Sequence, residues 1–407
     1  MAAKQTIIIG ETGSSFVSKF NANIGLSANM KVFNVEDYGA VHNGTTDDTV
    51  AIQVTIDACN TGGGGIIFFP KGIYVIGGAL RVTTGGTSYN SQIIVPFVLS
   101  TSQLRYTFHF LGEVAPEFTG TTGTAPNDVK PKTATTGVIF KSTITGSGTN
   151  PSVICGGNFT GVEVWNTGNA NTIIIENISI QPVYDDNSKL TMGALNFRGC
   201  YNAIVKNFTA FPFDADLNDS TIPSTGVVGI AMPFTACDLM NKIENCHLGG
   251  FYDGYLIGEH TTVDHAIAVC CVNGFTFSKN NFPNLIQRIG TYWCINSIKF
   301  ITGASMNLIQ CLTVEWYIQT KWYDNAYIVL DASNYGRGEL HYDVTEYGVG
   351  LNNAKFNKSG GTALQCMPIS FANGATGFTV TGATDAAKIA SLIAILAAKG
   401  IIIDGTT

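Results

Sequence analysis

The residues best suited to chemistry in this chain are carboxylates set beside aromatic rings and histidine. Asp253-Gly254-Tyr255-Leu256-Ile257-Gly258-Glu259-His260, followed by Asp264, brings three acids near Tyr252, Tyr255 and His260. On a strand Asp253 and Tyr255 share a face, and Gly258 permits a bend before Glu259. That group suits general acid and base work. A second group, Glu315-Trp316-Tyr317 with Lys321-Trp322-Tyr323-Asp324, mixes acids with four rings. Flat rings meet sugar C–H groups while acids accept from hydroxyls, so Glu315 reads as a further catalytic candidate, and Trp316, Trp322, Tyr323, Asp324 and Tyr255 as sugar-contacting residues. Asp214 and Asp216 sit in what reads as a solvated loop. His260 and His265 would point to opposite faces of a strand, so no metal site is expected, and no dinucleotide loop or Ser-His-Asp spacing suggests a cofactor or triad.

These groups must be held by something large. The chain has 407 residues, 45% hydrophobic and 13% charged, enough to bury a long core without metal or disulfides. A net charge of -7 and the absence of basic runs exclude the electrostatics of a nucleic-acid groove. No apolar stretch is long enough to insert into a membrane. The first twenty residues lack a secretory pattern, so folding in a cytoplasm is expected. The 10 Cys lack CxxC pairs and mostly sit among apolar neighbours, which predicts small buried hydrophobes.

The most specific block runs from Val32 to Ile76. A short strand, Val32 to Val35, leads through Asp37-Tyr38-Gly39-Ala40 and the turn pair Asn43-Gly44 into a helix. Thr45 or Thr46 is expected to cap it, Asp47 and Asp48 to fill its first turn, and Val50, Val54 and Ala58 to line one face with Ile52 and Ile56 beside them. Gly62 to Gly65 stop the helix. Strands follow at Ile66 to Phe69 and at Ile73 to Ile76, around Pro70-Lys71-Gly72. A strand after the glycines rules out a phosphate-binding loop.

This order of motifs, with Ala-Ile-Gln in the helix and Phe-Pro-x-Gly-x-Tyr after it, resembles the opening of the pectate-lyase superfamily, in which such a helix plugs the end of a solenoid. The resemblance implies an all-β right-handed parallel β-helix with an N-terminal capping helix. Further on, Ile175-Glu176-Asn177-Ile178, Val205-Lys206-Asn207-Phe208 and Ile243-Glu244-Asn245-Cys246, with looser copies at Asn273 and Asn296, read as corners where Asn takes left-handed geometry. A β-sandwich is the competing architecture.

The expected organisation is an attachment arm at 1–30, a cap at 31–80, a body at 81–370 with a loop insertion at about 81–150, and a C-terminal cap or assembly segment at 371–407. In the arm, Phe16, Val17, Phe20 and Ile24 form the apolar stripe of a short helix that must dock on something. Its sequence resembles the adaptors of phage tail proteins. The resemblance as a whole implies a homotrimeric phage tailspike in the virion tail, assembled in the host cytoplasm. Such a protein contacts other tail or baseplate proteins through residues 1–30 and binds, with or without depolymerising it as hydrolase or lyase, a bacterial surface polysaccharide. A non-enzymatic tail rod and a bacterial polysaccharide lyase or glycosidase are the alternatives.

Overall fold

The structure, a computed structural model, describes the backbone between residues 31 and 358 and side chains as far as residue 299. Outside the described residues lie 1–30 and 359–407, the segments 83–89, 97–105, 119–133, 158–170, 184–189, 213–222, 234–240, 279–283, 302–306, 316–326, 332–343 and 348–354, and a few single positions. Asp214, Asp216 and the C-terminal cap or assembly segment expected at 371–407 therefore fall outside.

The described chain winds as a right-handed parallel β-helix, the hand that parallel crossovers adopt. Two sheets run its length, one of 15 strands, sheet A, and one of 10, sheet B. Each turn contributes a bent strand to sheet A and a straight one to sheet B: Asn241–Gly249 then Asp253–Ile257, Thr261–Val269 then Asn273–Phe277, Asn284–Tyr292 then Asn296–Ile301. Successive turns stack in parallel register, for example Glu244 on Asp264 and Cys246 on Ala266.

The bend explains both shape and burial. Asn177, Asn207, Asn245, His265 and Arg288 all take positive φ, between 47° and 61°. In Asn241–Gly249 the inward residues are Asn241 and Ile243, then Cys246 and Leu248, so the alternation of a regular strand slips by one at Asn245. Thr261–Val269 repeats the same pattern around His265. A slip of one residue exchanges the faces of a strand. Here it turns a corner while keeping apolar side chains inside.

Three rows of side chains stitch the turns together. At the bends, Asn245 Nδ2 donates to Asn207 Oδ1 (2.8 Å), Asn207 Nδ2 to Asn177 Oδ1 (3.0 Å) and Asn177 Nδ2 to the Gly112 carbonyl (3.2 Å). At the start of sheet B strands, Asn296 donates to Asn273 (2.6 Å) and Asn273 to Asp253 (2.8 Å). Where sheet A strands begin, Asn241 and Asn284 bond across to Ala203 N, Glu259 O, Thr261 N and Gly258 O. Asn177, Asn207 and Asn245 are thus corners as expected. Asn273 and Asn296 are not, since they open sheet B strands and bridge turns without positive φ.

Inside, Phe108, Phe110, Phe208, Phe251, Phe275 and many Ile side chains form one continuous core. The seven described cysteines are buried. Burial pushes the Cys59 and Cys246 thiols up to about 12, so they stay protonated and inert near neutrality.

The plug differs in detail from its sequence reading. Asn43–Asp47 is a strand, the helix is Thr49–Thr61, and its N-cap position is Asp48, which makes no side-chain capping bond. Asp48 instead accepts the amides of Val41 (2.7 Å) and His42 (3.1 Å). The helix buries Ile52, Ile56 and Cys59, while Val50 and Val54 face away from the core. Gln53 closes the sheet edge: its amide donates to Ile94 O (2.8 Å) and accepts from Ile94 N (3.0 Å), pairing as another strand would. At Gly64, φ +94°, a Cβ would lie 2.8 Å from Thr107 O, which explains the glycine there. Residues 81–150 hold more than loops, because Asn90–Val95, Thr107–Gly112 and Val138–Ser142 supply strands to both sheets.

Replacing Asn207 tests the corner row. Asn207→Ala loses both amide bonds and places a Cβ in left-handed geometry without a polar side chain, for an expected cost of about 2–3 kcal/mol. Asn207→Gly loses the bonds but not the geometry and costs about 1 kcal/mol less. Denaturant unfolding measures both, and an alanine variant as stable as the glycine variant contradicts the corner assignment.

Candidate functional site

The residue just before each bend points away from the core. Parallel register stacks these positions into a row on the outer face of sheet A: Glu176 on Lys206, Lys206 on Glu244, Glu244 on Asp264 and Asp264 on Gln287. Two residues earlier a second outward row holds His109, Ile174, Ile204, Lys242, Thr262 and Leu285. Neighbouring strands are about 4.8 Å apart, so each of these turns offers one charged or polar group at that spacing.

Within the rows, charges meet across and along strands. His109 Nε2 lies 3.0 Å from Glu176 Oε2, with their side chains 15% and 27% exposed. The hydrogen bond from His109 holds the Glu176 carboxyl below the ordinary range, outweighing partial burial, with Lys206 adding attraction. Lys242 Nζ lies 2.7 Å from Glu244 Oε2 on the same strand face. Arg288, at the bend of the next turn, forks onto both oxygens of Asp264 and holds that carboxyl low. Glu176 and Asp264 are therefore ionised acceptors, and His109 sets an imidazole beside the row.

The acids expected from sequence do not form one constellation. Asp264 joins this row. Asp253 opens a sheet B strand, where Oδ1 accepts from Asn273 (2.8 Å) and Thr276 Oγ1 (2.5 Å), a stitch between turns. Glu259 is 4% exposed, and its carbonyl accepts from Asn241 and Thr261, so it belongs to the join between sheets and not to a surface site. The bend there is at His260, φ 51°, not at Gly258. Tyr255 is fully buried, stacked on Phe275 at 4.5 Å, and its hydroxyl donates toward Cys246 O (2.9 Å) and Ile267 O (3.1 Å). A sugar cannot reach it, which corrects its reading as a sugar-contacting residue. Glu315 ends the sheet A strand Leu312–Glu315 opposite Tyr292. Trp316, Trp322, Tyr323 and Asp324 lie outside the described residues. Among the described residues no group of three or more His, Cys, Asp or Glu could hold a metal ion. Nor is any helix among them long and apolar enough to cross a membrane.

Sequence reasoning passed over His109, Glu176, Lys206 and Glu244. The signal was present: in three corner motifs the residue before Asn is charged, and the alternation Thr107-Phe108-His109-Phe110 points His109 outward once both Phe are inside.

The first turns of both rows fall within a stretch that a family model matches. Residues 32–207 match a family model, rhamnogalacturonase A/epimerase, pectate lyase-like. The match takes in the cap and the first turns, including His109, Glu176 and Lys206. Mannuronan C5-epimerase AlgE3 and alginate lyase 7, both of Azotobacter vinelandii, are each 40% identical over 63 residues, 16% of this chain. The chain spans 3% and 7% of their lengths. Among solved structures, ORF18 of Geobacillus virus E2 aligns at 13% identity over 83% of this chain and 64% of that one, TM-score 0.25. The A-module of mannuronan C-5 epimerase AlgE4 aligns at 12% identity over 84% and 100%, TM-score 0.26. Superpositions this loose carry no argument about function.

The pairing of Glu176 sets a pH dependence. Its lowered pKa means the stability it contributes is present above the ordinary glutamate range and is lost as pH falls through the lowered value. Glu176→Gln should therefore lower the unfolding midpoint near neutrality and flatten its decline as pH falls below the ordinary glutamate range. Identical pH profiles for variant and parent would show that the pair does not form.

Proposed function

We propose that this protein is a tailspike-type virion component that binds a bacterial surface polysaccharide along the outer face of sheet A. In this reading it assembles as a homotrimer in the host cytoplasm and attaches to tail or baseplate proteins through residues 1–30. The observation that carries the reading is the outward row with one charged or polar group per turn, from Glu176 to Gln287, flanked by His109 and Lys242. A linear glycan lying along the solenoid axis would meet acceptors and donors at regular intervals, with Ile174, Ile204 and Leu285 beside them for its apolar edges. The family match supports a polysaccharide ligand, as do relatives named for acting on mannuronan and alginate.

Binding without cleavage is favoured by one observation: Glu176, Glu244 and Asp264 are already paired with His109, Lys242 and Arg288. Such carboxylates suit hydroxyl recognition better than acid catalysis. A cleaving variant of the same reading would use His109 as the proton-transfer group.

The test measures binding of the full chain to capsular and lipopolysaccharide glycans of candidate hosts and to alginate, alongside new reducing ends and the absorbance of unsaturated uronates. The reading predicts one glycan bound, with Lys206→Glu and Lys242→Glu each weakening it about tenfold or more. Reducing ends alone mean hydrolysis, and unsaturated products mean elimination. Variants that bind as tightly as the parent remove sheet A from the interface.

A further inference from the structure

The cap helix Thr49–Thr61 is apolar on two sides. Ile52, Ile56 and Cys59 enter the core, while Val50 and Val54, four residues apart on the opposite side, are 66% and 46% exposed. Val41, tied by its amide to Asp48 at the start of this helix, is also 46% exposed. A helix apolar on both sides is ordinarily covered on both sides. Scattered single apolar residues need no explanation, but paired valines on one helix face beside a third form a stripe.

The chain itself supplies a cover of matching character. It reaches the cap at Lys31, whose Nζ donates to the Gly62 carbonyl at the far end of the same helix (2.7 Å). Upstream, residues 12–24 carry Phe16, Val17, Phe20 and Ile24 at helical spacing. The six residues from 25 to 30 can span roughly 20 Å when extended. That matches the length of a 13-residue helix, about 20 Å, so the segment can reach both valines. Lys19 also complements Asp57, which is exposed on the cap helix.

We propose that residues 12–24 fold as an amphipathic helix on the outer side of the cap helix of the same chain, seating Phe16, Phe20 and Ile24 on Val50 and Val54. The docked segment fixes the arm at the plugged end of the solenoid and shields two valines that would otherwise face water.

Trypsin cleavage at Lys19 in the full chain tests this, read together with hydrogen exchange of the peptide covering the cap helix. In the parent, Lys19 should be cut at least about tenfold more slowly than in Val50→Asp/Val54→Asp, since cleavage follows the population of the released segment. Phe20→Asp leaves the folded body untouched and should release the same site and speed exchange in the cap helix. Equal cleavage rates in parent and both variants overturn the proposal. Protection that disappears on dilution, together with a fall in particle mass, also overturns it, by assigning the stripe to the arm of a second copy.

Discussion

Parallel registration of one turn on the next is the constraint from which the other features follow. In a solenoid each turn touches only its neighbours, so the structure persists only if every turn presents the same profile to the one above. The corner is where this is most demanding. A residue with positive φ must recur at the same place in each turn, although the stitches between turns join residues 30, 38, 20 and 23 apart in sequence. Loops of differing length absorb that variation, because lengthening a surface loop costs little. The corner cannot move, since a slip of one residue would turn Ile243, Cys246 and Leu248 outward and bring Glu244 into the core.

Much of this was legible from residue order, and the failures share one cause. The cap could be read because its signals are local: a turn pair, a helix, a glycine stop and buried strands in sequence. Asn177, Asn207 and Asn245 could be read as corners because Asn tolerates left-handed geometry. His265 and Arg288 could not, since neither stands in the Asn-centred motif, and register with the turns before them holds them there. Asn273 and Asn296 have similar local surroundings but serve as bridges between sheet B strands. The sign of φ separates the two roles and leaves no trace in composition. Val50 and Val54 misled in a related way, because a helix apolar on two sides does not announce which side faces in.

The candidate site was hidden by the same phase problem. Asp253, Tyr255, Glu259 and Asp264 are neighbours in sequence, yet the chain turns between them, leaving one stitching sheet B, one in the core, one in the join and one on the outer face of sheet A. The row that does form draws one residue from each turn and becomes visible only after stacking. Its ion pairs are partly exposed, where such pairs contribute little to stability. Under the proposed function, their regular placement along sheet A serves recognition of an extended partner.

Hydrogen exchange measured segment by segment on the native full chain tests the stacking most directly. Amides of Asn241–Gly249 and Thr261–Val269, with a registered neighbour on each side, should be among the slowest to exchange, and protection should fall off turn by turn toward the ends of the stack. Protection that alternates between adjacent turns, or that is weakest in these two strands, would contradict a core built by registered turns.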